Sequence, residues 1–441
     1  MKLFVKSTVA IVAGSLLTIL VLKAEPTYFG AAAFLILLPM FFVKPYYYFV
    51  FFTIIRPIID LSLMGNLPGN KLSSLVVIPL IFLCAKDMLL KPGSLNAIRR
   101  NPVLKKINFI FFLLLATNLL SFIYTENRIV SLQDLLRFIS IIVSVNYAVI
   151  YFSFSPKKKD EWIRLVLLSS FVPLAFGFKQ LMTHTGIQET GYNRLYGTFA
   201  HCNVFAQYLV MTIFLSVHLF SRSPKKSAWR RLSWMLMVLS LVSLYFTYTR
   251  TLWIAFAMAV LVYIFLKRGS SKKIVYIGMI LLVFTGLYSQ IKGRFSDTAD
   301  KQVGRRTSWQ WRVELWRDSL KDLKRHPLLG NGLGMFEYQI GVMAHNDFIR
   351  MAYESGIPSA LIFFIFFVFL FLYSVGASRK APEGDEPYFV LAASLVSALF
   401  ISSLAVNTLR STVIMFYYLT VIVVLIQGAK PKTVYKNITR Q

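Results

Sequence analysis

Four groups of polar side chains along this chain have types and spacings that suit chemistry on an anionic substrate. They are Arg194 with Asn203; Thr247-Tyr248-Thr249-Arg250; Arg305, Arg306, Arg312 and Arg317; and His345-Asn346 with Glu354 and Gly356. Guanidinium groups bind phosphate oxygens bidentately and stay charged at any working pH. A histidine, with an unperturbed pKa of about 6.5, can accept a proton from an attacking hydroxyl. Together these groups predict a site for a doubly charged diphosphate.

Each group also has a purely structural interpretation. Arg194 and Arg250 can be interfacial anchors whose side chains reach lipid headgroups. Arg305 and Arg306 can be solvated or lipid-facing, and Arg312 and Arg317 can form the polar side of a surface helix. A single histidine is more often structural than catalytic.

Two oppositely charged pairs fall inside apolar stretches. Arg56 and Asp60 are four residues apart, and Asp134 and Arg137 are three apart. Both spacings place the side chains on one face of a helix. We expect each pair to neutralise itself and to be structural.

The composition indicates where these groups are held. Of 441 residues, 56% are hydrophobic and only 15% are charged, and apolar runs of about 20 residues, long enough to cross a bilayer as helices, recur along the chain. The alternating pattern of a barrel strand is absent, so the spans must be helical. The formal charge of +29 does not indicate nucleic acid binding, because the basic residues lie mostly in short loops between apolar runs.

The sequence therefore predicts an all-α polytopic membrane protein with about 12–14 transmembrane helices. The fourteen predicted spans are 7–22, 28–43, 46–64, 72–90, 107–124, 132–154, 163–182, 202–220, 233–248, 250–267, 274–290, 357–376, 388–407 and 410–427. Twelve remains an alternative, because the short early spans can be partial. Lys23 and Glu25 replace the small residues of a signal-peptide cleavage site, which predicts an uncleaved first helix.

The basic loops set the predicted orientation. With fourteen spans, the loops richest in Lys and Arg all fall on the side of both termini, which the positive-inside rule makes cytoplasmic. All four polar groups then lie on the outer face. The expected organisation is a single transmembrane domain, 1–441, with one long outer loop at 291–355.

That loop contains an amphipathic pattern. Its apolar positions are Trp309, Val313, Trp316, Leu320 and Leu323, and the basic residues between them are Arg312, Arg317, Lys321 and Lys324. The spacing predicts a helix that lies on the outer membrane surface. Pro327 ends it, and Gly330, Gly332 and Gly334 predict a flexible turn.

The same segments resemble a known family. His345-Asn346 followed by Gly356 is similar to the histidine motif of the O-antigen ligase and O-antigen polymerase superfamily. The stretch from Arg312 to Phe336, with its Pro-Leu-Leu-Gly turn, resembles the family's Arg, Trp, Pro-Leu-Leu-Gly pattern. Thr247 to Arg250 resembles its Ser/Thr-rich turn, and Arg194 to Gly197 with Asn203 its earlier Arg-containing loop. The resemblance covers about 190–375.

The resemblance implies a C-type glycosyltransferase fold and a donor glycan linked to undecaprenyl diphosphate. It implies a metal-independent, inverting transfer with no cofactor, in which His345, Arg312 and Arg250 are catalytic. By position, Arg194, Arg250 and Arg312 hold the diphosphate, and His345 orients or deprotonates the acceptor. The remaining expected substrate-binding residues are Arg305, Arg306, Arg317, Asn203, Asn346 and Glu354.

The acceptor stays open at this point. A second lipid-linked glycan would make the protein a polymerase, and lipid A-core would make it a ligase. Ser359, which departs from the ligase motif, favours the polymerase. The expected location is the bacterial inner membrane, with membrane lipid, a polysaccharide flippase and a chain-length regulator as partners and no nucleic acid. Two further alternatives are a transporter or flippase, which would show inverted repeats, and a scaffold for polysaccharide assembly.

Overall fold

The computed structural model describes residues 44–59, 69–91, 93–189, 192–267, 278, 288 and 308–428. In chain order its elements are α1 (Pro45–Ile59), α2 (Gly69–Leu90), α3 (Ser94–Arg99), α4 (Pro102–Ser121), α5 (Arg128–Phe152), α6 (Pro156–Leu168), α7 (Phe171–Thr183), β1 (Ile187–Glu189), β2 (Tyr192–Arg194), α8 (Cys202–Arg222), α9 (Ala228–Phe246), α10 (Arg250–Leu266), α11 (Ser308–Leu323), α12 (Met335–Ile340), α13 (Asp347–Lys380), α14 (Glu386–Ser403) and α15 (Thr412–Leu425).

The described residues contain six helical segments that are long and apolar enough to cross a membrane. They are Pro102–Tyr124, Arg128–Phe152, Pro156–Thr183, Cys202–Arg222, Asp347–Lys380 and Glu386–Ser403. Three shorter apolar helices are α1, α10 and α15. The protein is thus an all-α polytopic membrane protein, as the composition predicted. The predicted spans 7–22 and 28–43 lie outside the described residues, as does 274–290 apart from residues 278 and 288.

The described chain forms two compact units. The first comprises residues 44–94 and 154–249, where α8 packs on α9 and α6, and α1 packs on α2, α6 and α7. The predicted span 163–182 is divided here by a break at Ser169 and Ser170, between α6 and α7. The β1–β2 hairpin follows α7, and pairs Ile187 with Arg194 in antiparallel register.

The second unit comprises residues 95–153 and 250–428. In it, α13 packs on α4, α14 and α11, while α15 packs on α5 and α14, and α10 packs on α14. Local signals start its helices. The Asn127 side chain accepts the backbone N–H groups of Ile129 and Val130 and so caps α5. Asn101 caps α4 in the same way, with Pro102 at its first position.

A backbone interruption near the start of α13 gives the second unit its particular geometry. Gly356 has φ 85° and ψ 164°, and Pro358 has no N–H. The carbonyls of Tyr353 and Glu354 therefore lack their helical donors. The N–H groups of Asn331 and Gly332 replace them, at 2.8 and 3.1 Å.

The turn 326–332 is consequently a docked element and not a flexible one. The Ile357 N–H donates back to the Pro327 carbonyl at 2.9 Å. A Cβ on Gly356 would lie 2.1 Å from the Leu328 carbonyl oxygen, and one on Gly330 would lie 2.4 Å from the Glu354 carbonyl carbon. Glycine is needed at both positions, because each has a positive φ and touches backbone. Gly330 was expected to make this turn flexible, but in the structure it allows the turn to pack closely against α13.

Candidate functional site

His345 lies at the entrance to α13, in a backbone conformation that side chains rarely adopt. Its φ is 53°, in the left-handed region. The next residue, Asn346, caps α13 by accepting the N–H groups of Phe348 and Ile349 at 2.9 and 3.1 Å. Left-handed residues other than glycine carry strain and cluster at functional sites. The helix cap and the turn before it thus fix where the imidazole can lie.

Asn407, in the loop between α14 and α15, holds His345 from the opposite side. The Asn407 Oδ1 atom accepts the His345 backbone N–H at 2.7 Å. Its Nδ2 atom lies 3.2 Å from the imidazole Nδ1 and donates to the Met343 sulfur at 3.4 Å. One amide side chain therefore contacts both the main chain and the ring of the histidine.

The same loop, residues 404–411, also organises the start of α13. The buried carboxylate of Asp347 accepts the backbone N–H groups of Thr408 and Leu409, each at 3.1 Å. These bonds satisfy two loop donors that would otherwise be orphaned, so the loop and the helix start form one rigid element. The 404–411 loop therefore holds both His345 and the residue range that follows it at the start of α13.

Arg312, on α11, contacts the 404–411 loop. Its Nη1 atom donates to the Ala405 carbonyl at 3.4 Å, and its side chain is partly buried. Burial lowers the pKa of the guanidinium, which nevertheless stays protonated as arginines in proteins do. Among the described residues Arg312 forms no ion pair. A partly desolvated arginine without a carboxylate partner suits an anionic ligand.

Two tryptophans dock α11 beside the histidine. The Trp316 indole N–H donates to the Ala344 carbonyl at 2.7 Å. The Trp311 ring meets the His345 ring edge to face, with centroids 6.0 Å apart. The helix predicted for the outer surface thus packs on α13, although Leu320, assigned to its apolar face, is 46% exposed.

A buried ionic network lies in the same unit, centred on Asp134. Its carboxylate accepts from Arg350 at 2.7 Å, from Arg410 at 3.4 Å and from Arg137. Arg350 also donates to Glu354 at 2.9 Å. The expected pairing of Asp134 with Arg137 is present, but it is one edge of a larger cluster.

The network has balanced charge. Glu337 pairs with Arg410 at 2.9 Å, which brings the total to three carboxylates and three guanidinium groups. Each buried charge in the cluster therefore has a partner of opposite sign. Its members lie on α5, α12, α13 and the 404–411 loop, so the cluster joins these elements. Glu354 additionally accepts the Phe336 backbone N–H at 3.3 Å, so this expected substrate-binding residue is committed to protein contacts.

A small cavity adjoins the network. It has a volume of about 70 Å³ and is lined by Asp134, Arg137, Arg350 and Glu354 together with apolar side chains of α4, α5, α13 and α15. At roughly 10–15 Å³ per water molecule, it has room for about five waters. It is too small for a sugar chain, since pockets for drug-sized ligands measure about 300–1,000 Å³.

Arg194 is held separately, in the first unit. Its Nε donates to the Thr247 carbonyl at 3.0 Å, and its Nη2 contacts Thr249 Oγ1 at 3.2 Å and Asn203 Oδ1 at 3.4 Å. These three acceptors are neutral. The turn after α9 thus positions Arg194 through Thr249, the residue directly before Arg250 in the sequence.

An aromatic cluster flanks this arginine. Tyr248 has φ 51° and its ring packs on Tyr192, with centroids 4.8 Å apart. Burial raises the pKa of the Tyr248 phenol. The loop after Arg194 is fixed by Gln180 of α7, which accepts the N–H groups of Tyr196 and Gly197 and donates to the Gly197 carbonyl.

The remaining expected residues have simple placements. Arg250 begins α10 and is exposed, and Arg317 is exposed on α11. Arg305, Arg306 and Asp60 lie outside the described residues. The assignment of Arg194, Arg250, Arg312, Asn203 and Asn346 to substrate contact stays a prediction.

Sequence reasoning missed the 404–411 loop entirely. The predicted spans 388–407 and 410–427 left only two residues between them, whereas α14 ends at Ser403 and α15 begins at Thr412. The signal was present as Asn407-Thr408-Leu409-Arg410, a polar string between two apolar runs on the side assigned to the outside. Arg350 was missed too, although it precedes Glu354 by one helical turn.

Metal ligation has no candidate in the described part of the chain. There, no three His, Cys, Asp or Glu side chains come together as a metal-binding group. Metal independence of the reaction stays a prediction.

The fold and these sites define a polytopic membrane protein with arginine and histidine groups gathered around connecting loops. Residues 235–364 match the protein-family model described as O-antigen ligase. The match confirms the resemblance to the O-antigen ligase and polymerase superfamily, and it supports a membrane glycosyltransferase-type role in cell-surface glycan assembly. It includes Arg250, Arg312, His345 and Gly356 and covers less than a third of the chain. No curated protein matches the chain.

Proposed function

We propose that the protein transfers a glycan from undecaprenyl diphosphate to a sugar hydroxyl during the assembly of a cell-surface polysaccharide. The observation that carries the proposal is the convergence of Arg312 and His345 on the 404–411 loop. Both residues lie in the matched segment, and the loop that joins them lies outside it. An arginine that forms no ion pair with any described residue suits a diphosphate donor, and a firmly held imidazole suits an incoming hydroxyl.

In the proposed reaction the acceptor oxygen attacks C1 of the donor glycan and the C1–oxygen bond to diphosphate breaks. Diphosphate is a good leaving group, so fixed positive charges at its oxygens can supply much of the catalysis. Arg194, Arg250 and Arg312 are the proposed ligands of the diphosphate, together with Arg305, Arg306 and Arg317. His345 orients or deprotonates the acceptor.

The acceptor is proposed to be a second lipid-linked glycan, which would make the protein a polymerase. Ser359 favours this over a ligase that uses lipid A-core, because it departs from the ligase motif. We place the protein in the bacterial inner membrane with both termini in the cytoplasm and the site on the outer face. Membrane lipid, a flippase that delivers the donor and a chain-length regulator are the proposed partners.

The test is a transfer assay with purified protein in lipid nanodiscs. Undecaprenyl-diphosphate repeat units are supplied alone, with a chelator, and the products are separated on a gel. A ladder of longer glycans supports the polymerase. Transfer that requires added lipid A-core makes the protein a ligase. Absence of transfer to either acceptor, with native repeat units, contradicts the proposal.

A further inference from the structure

The orientation of the Asn407 amide is fixed by the main chain of His345. The His345 backbone N–H is a donor that cannot become an acceptor, so the amide atom 2.7 Å from its nitrogen must be the carbonyl oxygen. The other terminal atom of Asn407 is therefore the NH₂ group, which carries two hydrogens and no lone pair for accepting.

The two hydrogens of that NH₂ group have two acceptors within reach. The Met343 sulfur, a weak acceptor, lies at 3.4 Å, and the imidazole Nδ1 of His345 lies at 3.2 Å. The opposite amide orientation would set NH₂ against the backbone N–H and the carbonyl oxygen against sulfur. The two contacts whose roles are fixed, to the backbone N–H and to the sulfur, thus agree on a single orientation.

The orientation of the amide determines the tautomer of the histidine. Because Asn407 donates to Nδ1, that ring nitrogen must present its lone pair. A neutral imidazole carries one hydrogen, which then resides on Nε2. Nε2 is accordingly a donor, and it cannot accept a proton from a hydroxyl while the ring is neutral.

We propose that Asn407 is a positioning residue that holds His345 as a hydrogen-bond donor, and that His345 is not the general base of the reaction. The imidazole Nε2–H donates to an oxygen of the bound substrate in the transition state. This inference rests on the proposed glycan transfer and deepens it, because it replaces deprotonation by His345 with donation.

The proton balance closes without a basic histidine. The acceptor oxygen forms a bond to C1, and the C1–oxygen bond to diphosphate breaks with its electron pair moving to the departing diphosphate. The acceptor's proton passes to solvent water as the new bond forms. The diphosphate leaves from the opposite side of C1, as an inverting transfer requires, and its newly basic oxygen takes up a proton from solvent. His345 begins and ends the step with the same number of protons.

Charged residues lie on each of the three elements around His345, namely α11, the start of α13 and the 404–411 loop. Arg312 approaches from α11, Asp347 lies two residues further on at the start of α13, and Arg410 belongs to the 404–411 loop. Asp347 is bonded to backbone N–H groups of that loop, and Arg410 is paired with Asp134 and Glu337. The Nδ1 atom of His345 lies 3.2 Å from the neutral amide nitrogen of Asn407.

The direct experiment is ¹⁵N NMR of the full-length protein in nanodiscs with labelled histidine and without substrate. The chain has five histidines, so the His345 signals can be assigned by comparison with a His345→Gln sample. At a pH where the ring is neutral, we expect Nδ1 without a proton and Nε2 with one. A protonated Nδ1 overturns the proposal whether or not the protein has transfer activity.

Two substitutions at His345 test donation during transfer. The amide of His345→Gln can place an N–H near the Nε2 position, whereas His345→Asn places it near Nδ1. Loss of one preorganised donor costs about 10²–10³-fold in rate. We expect the Asn variant to show that loss and the Gln variant to retain at least tenfold more activity than the Asn variant. Equal, complete loss in both variants overturns the donor role.

Asn407→Asp supplies the complementary test. Its carboxylate still accepts the His345 backbone N–H. The second carboxylate oxygen can only accept a hydrogen bond, which favours a hydrogen on Nδ1 and leaves Nε2 of the neutral ring as an acceptor. We expect the NMR signals to exchange roles and transfer to fall by about 10²-fold, with an unchanged melting temperature. Wild-type activity in a tautomer-switched variant overturns the proposal. Absence of transfer in the wild type contradicts the proposed function, and the NMR result then stands independently.

Discussion

The guanidinium of Arg350 donates to the carboxylate of Asp134 at 2.7 Å, although the two residues are 216 positions apart in the sequence. Their side chains are 11% and 7% exposed. The pair joins α5 to the first turn of α13, the helix that begins after His345 and its cap Asn346. A bond of this kind in an apolar region fixes the register of two helices.

Removal of Asp134 should therefore be strongly destabilising. Asp134→Ala leaves Arg350, Arg137 and Arg410 without their shared carboxylate, and breaking a buried ion pair costs roughly 3–5 kcal/mol. Thermal unfolding in detergent measures the effect.

The matched control for Asp134→Ala is Asp318→Ala. Asp318 also accepts from a basic side chain, Lys321 at 2.8 Å, but both partners are about two-thirds exposed. Exposed pairs contribute about 0–1 kcal/mol. Equal stability losses in the two variants would mean that Asp134 is not the centre of a buried network.

Gly356→Ala should disrupt the docking of the 326–332 turn. The new Cβ would meet the Leu328 carbonyl oxygen at 2.1 Å, in a residue whose φ is 85°. Backbone strain alone accounts for about 1–3 kcal/mol, and the clash adds to it. We expect a loss of at least about 2 kcal/mol in the free energy of unfolding, together with loss of transfer.

Gly376→Ala is the control within the same helix. A Cβ at Gly376 meets nothing within 4 Å, and its backbone is helical. Alanine has the higher helix propensity, so this variant should be as stable as the wild type or more stable by up to about 1 kcal/mol. If both alanine variants unfolded at the wild-type temperature, Gly356 would not be needed for docking of the 326–332 turn.

The sequence predicted the local features of this fold and missed the long-range ones. Apolar length predicted the long helices, but not the capping residues at which they begin, such as Asn127 and Asn346. The β1–β2 hairpin was missed because strands of three residues carry no alternation signal. The predicted span 357–376 begins directly after Gly356, where non-helical backbone interrupts α13. The helical residues 347–355 before it were not predicted, because Gly356 and Pro358 normally end a helix and the compensating donors come from Asn331 and Gly332.

The candidate site was predictable only in part. Arg312 and His345 were singled out because their residue types and motif spacing suggest chemistry. Asn407 was not, since its importance depends on the packing of the 404–411 loop against the histidine, which no local pattern encodes. The ion pair between Asp134 and Arg350 likewise needs the two helices to be placed first. A charged residue in a predicted span was the available signal, and its nearest sequence neighbour, Arg137, was only one of its partners.

Arg312→Lys should reduce transfer sharply. Lysine keeps the positive charge but lacks the planar fork that binds two phosphate oxygens at once. If Arg312 binds two diphosphate oxygens in the transition state, the rate of transfer by Arg312→Lys should be about 10²-fold below that of the wild type. Arg250→Lys should behave similarly.

The control for the arginine variants is Lys321→Arg on the same helix, whose side chain is 64% exposed. It changes the residue type in the opposite direction at a solvated position, and transfer should stay within about twofold of the wild type. Full activity in both Arg→Lys variants would remove these two arginines from the proposed diphosphate site.

Asn203→Asp tests the role of Arg194. Aspartate resembles asparagine more closely than alanine does, yet we expect Asn203→Asp to reduce transfer more than Asn203→Ala. The Asn203 Oδ1 atom lies 3.4 Å from the Arg194 guanidinium, so a carboxylate there would pair with the arginine and compete with a diphosphate. We expect the KM for the lipid-linked donor to rise roughly ten- to hundredfold, since each tenfold change corresponds to about 1.4 kcal/mol. Asn203→Ala removes the contact without adding charge and should raise KM less. Because the new ion pair stabilises the folded loop, Asn203→Asp should also melt no lower than Asn203→Ala. Donor titrations of the three proteins at two salt concentrations measure the KM values, and thermal unfolding measures the melting temperatures. If Arg194 is only an interfacial anchor, the aspartate and alanine variants will have the same KM.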